Sequence, residues 1–369
     1  MIKTINKKPD SFLFGTIIAL IFLGLLVLSS VSAPVAQRKF DSSFQFLVHQ
    51  LKWGLLPGLI LGYLAFRQDI SWFKKNASLL LLINIVLLVL ILIPGFGNSV
   101  GGASRWLDLG SITPQPSEFL KLTIILYWAS WLDSRKTKVL KNPNSSLYVF
   151  FAVMTVLGIL IALQPDIGTL FLISAISGIM YFLADTPNKH TIIILILFVL
   201  LVVFLMKVAP YRSNRLAVFL NPDLDPMGLG YQIKQSEITI GSGGLIGTGI
   251  GLSQQKFGSL PELISDSIFA IFAEETGFLG SFVLISLFIM LFVRGIQIAM
   301  NSTDQFSMLT ASGISCWIAL QAIINIGAMT RLVPVTGMPL PFISYGGSAL
   351  ISELVGIGIL LNISSKVKL

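Results

Sequence analysis

The sequence predicts an all-α integral membrane protein with about ten transmembrane helices, both termini in the cytoplasm and one large external loop. Hydrophobic residues make up 54% of the chain and charged residues 11%, whereas a soluble domain carries about 25% charged residues. Mean hydropathy is +0.85. The 369 residues accommodate roughly ten spans of about 20 residues each. We therefore treat residues 1–369 as a single polytopic membrane domain.

Apolar runs of transmembrane length recur along the whole chain. Backbone groups in lipid must be hydrogen-bonded within their own segment, so each run is expected to form a helix. The expected spans lie near 13–33, 46–66, 77–94, 116–132, 147–163, 167–184, 191–209, 266–293, 306–330 and 342–363. The stretch between the seventh and eighth spans, about 210–265, is the one long enough for a large external loop.

The distribution of charge predicts the orientation. With the N-terminus inside, the cytoplasmic segments contain 14 of the 25 basic residues and five of the 17 acidic residues, whereas the rest of the chain is nearly neutral. Basic loops mark the cytoplasmic side of a membrane protein. These loops also account for the net charge of +8, so we expect no nucleic-acid partner. The single cysteine, Cys316, excludes an internal disulfide and a cysteine-based metal site.

Dense polar clusters separate the spans, and this orientation places all of them on the non-cytoplasmic face. Their candidate functional residues are Arg105, Glu118, Lys121, Asp166, Glu262, Asp266 and Ser344. A membrane protein that collects carboxylates, glycines and prolines on one face is expected to have a site there. Because that face lacks ATP, its chemistry would need a substrate that is already activated and delivered by the membrane.

Asp266 opens the eighth predicted span, and more carboxylates follow it. A lone carboxylate at this position commonly caps the helix. Carboxylates inside a transmembrane segment are costly and usually functional, which draws attention to Glu274 and Glu275. At about 100° per residue, Glu274 lies roughly 80° and Glu275 roughly 180° around the helix from Asp266. Glu274 is thus the expected neighbour, and Glu275 is expected to pair with another helix.

Two further positions each have a structural and a functional interpretation. Lys121, three residues after Glu118, could form an intrahelical pair that makes both charges tolerable, or it could face a cavity as a cation for an anionic headgroup. Asp166, in a very short hairpin between spans five and six, could cap the sixth span. It could also join a carboxylate cluster that binds a divalent cation through oxygen ligands.

A glycine-rich run, GSGGLIGTGIG, occupies 241–251 of the external loop, after a stretch at 231–240 that looks like an amphipathic helix. Glycine at this density allows close backbone approach, so the run could form backbone N–H concavities that bind pyrophosphate. A loop packed tightly at the membrane surface is the equally favoured alternative. The spacing matches neither the dinucleotide-binding nor the P-loop motif.

Taken together, the motifs resemble the SEDS family (shape, elongation, division and sporulation). They run in order along essentially the whole chain: GGASRWLDLG…QPSEFLKL, QPDIGT, GSGGLIGTGIGLSQQKFGSLPELISDSIFAIFAEETGFLG, VTGMPLPFISYGGSALI and LLNISS. The QKFG-x-LPE stretch resembles division-type members more than elongation-type members. The resemblance implies ten spans with both termini inside.

The resemblance also implies that the chain is a peptidoglycan glycosyltransferase, which polymerises lipid II on the outer face of the bacterial cytoplasmic membrane. By this resemblance Asp266 matches the catalytic carboxylate, and Glu118, Lys121 and Asp166 match further motif residues. The expected substrate-binding residues are Glu118, Lys121, Arg105, Lys52, Arg212, Arg215, Glu262 and Ser344. The expected ligands of a divalent cation, Mg²⁺ or Mn²⁺, are Asp166 and Glu274.

The implied partners are lipid II, the lipid-linked glycan strand, a class B penicillin-binding protein and other divisome or elongasome membrane proteins, with the division septum as the expected location. Two positions depart from the family pattern. Ile264-Ser265-Asp266-Ser267 replaces an HTDF-like sequence, and His49-Gln50-Leu51-Lys52 stands where the family commonly carries an arginine. The first leaves Asp266 in altered surroundings, and the second makes Lys52 a substitute for that arginine.

The mechanism predicted from these residues has Asp266 as general base. Lys121, Arg212 or Arg215 and a divalent cation would stabilise the pyrophosphate leaving group. The rival interpretation is a lipid II flippase, which buried ionisable residues would also suit. A flippase needs polar residues along a path from both sides, whereas these motifs crowd the outer face. A scaffold that has lost catalysis is a third interpretation.

Overall fold

The computed structural model describes residues 8–367, apart from 101–102, 109, 111–112, 142, 209 and 259. Its helices are α1 (Ser11–Phe40), α2 (Gln45–Gln50), α3 (Leu56–Arg67), α4 (Ile70–Leu92), α5 (Pro116–Lys141), α6 (Pro143–Leu163), α7 (Ile167–Leu183), α8 (Asn188–Val208), α9 (Pro210–Leu220), α10 (Leu229–Ser242), α11 (Ile268–Met300), α12 (Gln305–Met329) and α13 (Gly347–Ser364). Every one of the ten predicted spans overlaps one or more of these helices.

Membrane-spanning character is visible in the helices themselves. Within the described part of the chain, six helices are long and apolar enough to cross a membrane: α1, α4, α6, α11, α12 and α13. Helices α7 and α8 are also apolar, but over shorter segments, Ile167–Leu183 and Asn188–Leu201. The chain is therefore a multi-pass membrane protein built almost wholly of helix, as the sequence predicts.

A small β-hairpin is the exception to the all-α prediction. Strands β1 (Gly97–Val100) and β2 (Ala103–Leu107) pair antiparallel, with Gly97 opposite Leu107 and Asn98 opposite Trp106. The hairpin joins α4 to α5, and it carries Arg105 on its second strand.

Aspartates begin four of the helices. The side chains of Asp10, Asp69, Asp166 and Asp304 accept hydrogen bonds from backbone N–H groups in the first turns of α1, α4, α7 and α12. An aspartate at this position satisfies donors that the helix itself leaves open. The structure thus bears out the capping interpretation of Asp166.

The core of the bundle is formed by its last helices. In α12 and α13, 78% of the residues in the most apolar window are buried, against 22% in α6 and α11. The second predicted span is continuous but irregular: α2 passes into α3 through a π-helical turn, Leu51–Leu55. Beyond that turn α3 packs closely on α13, because a Cβ on Gly358 would lie 2.1 Å from the carbonyl oxygen of Gly62.

The predicted external loop is largely ordered. It contains α9, a 3₁₀ turn (Pro222–Leu224) and α10, which confirms the helix expected at 231–240. The glycine-rich run then folds back along α11. Thr248 N and Gly249 N donate to the carbonyls of Glu274 and Glu275, at 2.9 and 3.0 Å.

A break in α11 makes this contact possible. Gly277 lies inside the helix with φ 67° and ψ −165°, a conformation open chiefly to glycine. Beyond it, Phe278 N donates to Gly244 O at 2.9 Å. The loop and the broken helix therefore satisfy each other's backbone groups. Because the N–H groups of Thr248 and Gly249 are already used, this geometry favours the packed-loop interpretation over pyrophosphate binding.

The close approach of α3 and α13 leads to a stability prediction. Gly358→Ala would place a methyl group against the backbone of Gly62, so the helices must separate, at a cost of about 1–3 kcal/mol. We expect a lower melting temperature of the purified protein in detergent. Gly15→Ala is the control, because nothing lies within 4 Å of its added Cβ. Equal melting temperatures for the two variants would contradict this packing.

Candidate functional site

Asp266 lies in a run of turns between the glycine-rich run and α11. The turn closes on Glu262, whose carbonyl accepts hydrogen bonds from Ser265 N at 3.3 Å and Ser267 N at 3.1 Å. Helix α11 begins only at Ile268, and Ser267 occupies its N-cap position. Asp266 therefore does not cap the helix, contrary to the simplest expectation for a lone aspartate at a helix start, and its carboxylate is left for other interactions.

The segment that joins α12 to α13 forms one wall of this site. A Cβ on Gly337 would lie in ordinary contact with Asp266 Oδ2, at 3.5 Å, and Gly337 has φ 76°, so the backbone conformation favours glycine at this position. Tyr345 N donates to Ile264 O at 2.8 Å, and Ser344 Oγ donates to Ser265 O at 2.5 Å. The last loop is thus bonded directly to the turn that carries Asp266.

Burial and four charged neighbours determine the electrostatics of Asp266. Its burial raises the pKa of the carboxyl to about 7, and Glu262 adds to the rise; Arg215 and Arg105 lower it, and Asp166 raises it again. The structure therefore brings four other predicted site residues within electrostatic reach of Asp266. A carboxyl with a pKa near neutrality is suited to accept a proton at physiological pH.

Arg105 connects two loops at this end of the bundle. Its Nε donates to Gln164 O at 3.1 Å and its Nη2 to Pro165 O at 2.7 Å, so it holds the hairpin against the turn that precedes α7. Asp166 follows that turn, and its Oδ2 accepts from Thr169 Oγ1 at 2.8 Å.

Arg215 reaches the same region from α9. Its Nη1 donates to Val335 O at 3.2 Å, on the last loop. Together with Arg105 on β2, it gives the Asp266 site two guanidinium groups on separate elements.

Glu118 and Lys121 form a buried pair below the site. Lys121 has no exposed surface, and its Nζ donates to both carboxylate oxygens of Glu118 at 2.8 Å and to Gln321 Oε1 at 3.0 Å. The intrahelical interpretation is therefore confirmed, and Gln321 of α12 adds a third partner. Since the ammonium is enclosed by protein groups, the alternative of a cation facing an open cavity does not describe this structure.

Comparison with known proteins identifies the fold and the family. A family model described as "Cell cycle protein", covering FtsW, RodA and SpoVE, matches residues 10–369. The chain belongs to this family. It is the SEDS family that the sequence motifs indicate.

Relatives match over nearly the whole chain. A probable peptidoglycan glycosyltransferase FtsW from Trichlorobacter lovleyi is 38% identical and covers 99% of this chain and 97% of its own. Stage V sporulation protein E from Bacillus subtilis is 39% identical, covering 98% of each. The similarity to division-type members expected from the motifs agrees with the first match.

Solved structures share the fold. A chain of a peptidoglycan synthase complex that coordinates polymerisation and crosslinking has a TM-score of 0.78 at 27% identity, covering 97% of this chain and 98% of its own. RodA from Thermus thermophilus has a TM-score of 0.69 at 26% identity, covering 96% of each chain.

The three remaining predicted residues of this SEDS protein are Ser344, which lies beside the turn of Asp266, Lys52, which contacts an aromatic ring, and Arg212. Ser344 is buried, and its hydroxyl also accepts a hydrogen bond from Leu340 N at 2.9 Å, so it joins backbone segments. Lys52 lies in the π-helical turn and extends over the ring of Trp53, 4.9 Å from its centroid. Arg212 lies on α9, but its side chain is outside the described part of the structure.

The expected position of Glu274 beside Asp266 is wrong. Its carboxylate is buried against the residues that directly follow the glycine-rich run, where it accepts from Ser253 Oγ and from Gln254 N at 3.3 Å. The reason is the fold-back of that run, which covers this face of α11. Glu275 behaves as expected: it pairs with Lys256 at 3.0 Å and accepts from Ser30 Oγ of α1 at 2.8 Å.

This placement bears on the expected cation ligands. Glu274 is occupied by its own hydrogen bonds, and Asp166 caps α7. Among the residues that the structure describes, no group of three or more histidine, cysteine, aspartate or glutamate side chains is placed to hold a metal ion. The predicted pair therefore does not fit a divalent cation as arranged, and we derive no chemical step from one.

Sequence reasoning missed two buried amides on α12. Gln321 donates to Pro339 O at 2.9 Å, and Asn325 donates to the carbonyls of Asp266 at 3.0 Å and Met338 at 2.7 Å. The available signal was their spacing: two amides four residues apart in an apolar span share one helix face.

The buried pair on α5 leads to a prediction about stability. Lys121→Met would leave the Glu118 carboxylate buried without its cation, and breaking such a pair costs about 3–5 kcal/mol. We expect a strong fall in melting temperature in detergent. The double variant Glu118→Gln/Lys121→Met removes both charges and should recover much of the loss. If the double variant is no more stable than the single one, the two charges do not depend on each other.

Proposed function

We propose that this chain is a peptidoglycan glycosyltransferase that polymerises lipid II into glycan strands. Relatives that bear this name align over almost the full chain at 38% identity. The observation that carries the proposal is Asp266: burial raises the pKa of its carboxyl to about 7, and the positive charges of Arg105 and Arg215 act on it. Such a site offers a proton acceptor beside two cations.

The proposed membrane topology has ten spans, both termini in the cytoplasm and residues 210–265 on the outside. The overlap of every predicted span with a helix supports this count, and the basic loops support the direction. The Asp266 site would then open to the outer face of the bacterial cytoplasmic membrane, the side on which glycan strands are made. The names of the division relatives favour the septum as the place of action.

In the proposed reaction, Asp266 accepts the proton from the GlcNAc 4-hydroxyl of an incoming lipid II. The hydroxyl oxygen forms a bond to the anomeric carbon of the lipid-linked strand while the bond from that carbon to the pyrophosphate oxygen breaks. The configuration inverts, and undecaprenyl pyrophosphate leaves with the bonding electrons. One base suffices because pyrophosphate is a good leaving group, whereas glycoside hydrolysis uses two carboxyl groups.

The charged neighbours have separate parts in this scheme. Arg105 and Arg215, with Arg212 at the start of α9, would stabilise the negative charge that grows on the pyrophosphate. Glu262 would tune Asp266 by its charge. Three predicted residues would support the site without touching the substrate. The Glu118–Lys121 pair holds Gln321, which binds the last loop at Pro339, and Ser344 binds the turn of Asp266. Lys52 stays a predicted contact for the lipid phosphates.

A class B penicillin-binding protein is the proposed partner, with other divisome or elongasome membrane proteins. The support is the match to a chain from a peptidoglycan synthase complex, in which polymerisation and crosslinking are coordinated. A divalent cation, Mg²⁺ or Mn²⁺, stays a prediction. It would bind with lipid II rather than in a ligand set already assembled by this chain.

The role of Asp266 as base can be tested by substitution. Asp266→Asn keeps the size of the side chain but removes the base, so polymerisation should fall about 10²–10⁴-fold. The assay is glycan-strand formation from lipid II by the purified protein, with and without its penicillin-binding partner, in Mg²⁺ or Mn²⁺ and in EDTA. Asp223→Asn is the control, because Asp223 is exposed and pairs with Lys234 in the same external segment.

Three results of that assay would change the assignment. Polymerisation by Asp266→Asn at the wild-type rate would remove Asp266 from the role of base. Activity that persists in EDTA would show that the reaction does not need a divalent cation. If no strands form in any condition, and a separate assay shows lipid II crossing the bilayer of proteoliposomes, the chain is a flippase and not a glycosyltransferase.

A further prediction concerns pH. A base must be deprotonated to act, so kcat/KM should fall as pH drops through about 7, the pKa of Asp266. Glu262→Gln removes a negative charge that raises this pKa, and should move the acid limb to lower pH. Arg215→Gln removes a positive charge that lowers it, and should move the limb to higher pH. Shifts of the same sign in both variants would contradict the assignment of the limb to Asp266.

A further inference from the structure

The amides of α12 lie directly behind the site. Asn325 and Gln321 are four residues apart, so they lie on one face of the helix, and both are almost completely buried. Asn325 Nδ2 donates to Asp266 O at 3.0 Å and to Met338 O at 2.7 Å, whereas Gln321 Nε2 donates to Pro339 O at 2.9 Å. Two consecutive carbonyls of the last loop and the carbonyl of Asp266 are thus held by one helix.

This arrangement controls the surroundings of the carboxylate. Met338 directly follows Gly337, and a Cβ added to Gly337 would lie 3.5 Å from Asp266 Oδ2. Asn325 therefore holds the main chain of Asp266 and, through Met338, the backbone that lies against its carboxylate. A displacement of either carbonyl would change the distance between Asp266 and this wall.

Position 325 needs a hydrogen-bond donor, which an amide supplies and an aspartate or a leucine does not. Its Nδ2 supplies both hydrogen bonds, whereas its Oδ1 has no hydrogen-bond donor among the described residues. An ionised aspartate of the same shape would place acceptor oxygens against two carbonyl oxygens, and leucine would leave both carbonyls without a donor. The residue type at 325 is therefore determined by the two carbonyls that it joins.

Gln321 connects this arrangement to the buried pair. Its Oε1 accepts hydrogen bonds from Lys121 Nζ at 3.0 Å and from Trp317 Nε1 at 2.9 Å, so the amide cannot rotate without losing partners on both sides. The side chain is oriented by α5 and by its own helix. The Pro339 carbonyl is thus bound by a side chain whose orientation is fixed by its other partners.

We propose that Asn325 is a positioning residue for the glycosyl transfer: it holds the main chain of Asp266 at a constant distance from the Gly337–Met338 wall, with Gln321 supporting the same wall at Pro339. This inference rests on the proposed function for its effect on rate. Its geometric part, that Asn325 determines the environment of the Asp266 carboxylate, can be tested without any turnover.

A matched control lies near the far end of α13. Asn362 is fully buried, and its Nδ2 also donates to two backbone carbonyls, Ala65 O at 3.1 Å and Gln68 O at 2.5 Å. These residues lie at the opposite end of the bundle from Asp266. Asn325→Leu and Asn362→Leu therefore remove equivalent hydrogen bonds and should lower the melting temperature in detergent to a similar extent.

The first measurement follows the Asp266 carboxyl directly. The purified full-length protein is treated with a hydrophobic carbodiimide, which reacts with protonated carboxyl groups, and labelling of the Asp266 peptide is quantified by mass spectrometry across pH. Asn325→Leu should shift the labelling midpoint to lower pH, because a displaced carboxyl is better hydrated. Asn362→Leu should leave the midpoint unchanged. Equal midpoints in wild type and Asn325→Leu would overturn the proposal.

The second measurement separates positioning from folding. In the lipid II assay, Asn325→Leu should lower kcat at least tenfold per folded molecule, with KM within about threefold of wild type. Asn362→Leu should keep wild-type kcat. A similar loss of kcat in both variants would reduce Asn325 to a structural residue. A wild-type protein that does not polymerise would contradict the proposed function, whereas the carbodiimide result would still decide the role of Asn325.

Discussion

A polar group inside a membrane bundle must find its partner within the protein, and this constraint shapes the molecule around Asp266. Lipid offers no hydrogen bonds, so an unpaired amide or charge is costly. Lys121 is satisfied by Glu118 and Gln321, and Gln321 in turn holds Pro339. The same contacts that make buried polar side chains tolerable thus attach an irregular loop to the core helices. The rigidity of the site is a consequence of satisfying its polar groups.

Asp266 is the exception that gives the site its chemistry. Its side chain does not cap α11, and the charges of two arginines and two acids act on its carboxylate. The last loop approaches this carboxylate at Gly337, and it is bonded to the same turn through Ser344 and Tyr345. The backbone around Asp266 is therefore fixed by the loop that approaches its carboxylate.

The glycine-rich run has a sequence that fits two structures, a pyrophosphate-binding loop and a loop packed against a helix. Its composition is compatible with binding pyrophosphate, yet in the structure its N–H groups donate to carbonyls of α11 at the break around Gly277. Helical geometry alone placed Glu274 near Asp266, but the folded-back run draws that carboxylate to Ser253 and Gln254. Regular periodicity could not predict either result, because both depend on a non-helical residue and a long-range contact.

Local composition by itself determined the helical spans and placed Asp266, Glu262, Asp166, Arg105 and Arg215 on one membrane face. It offered the aspartate cap of α7 and the pairing of Glu118 with Lys121 as one of two interpretations each. These features follow from hydropathy, from short spacings and from loops that share a membrane face, which are properties of neighbouring residues. Tertiary structure alone decided that Asp266 does not cap α11 and that Glu274 binds the loop before α11. It also decided that Asn325 and Gln321 bind the carbonyls of Asp266 and Pro339. The physical reason is that each depends on which segments, distant in sequence, share a hydrogen bond in the folded bundle.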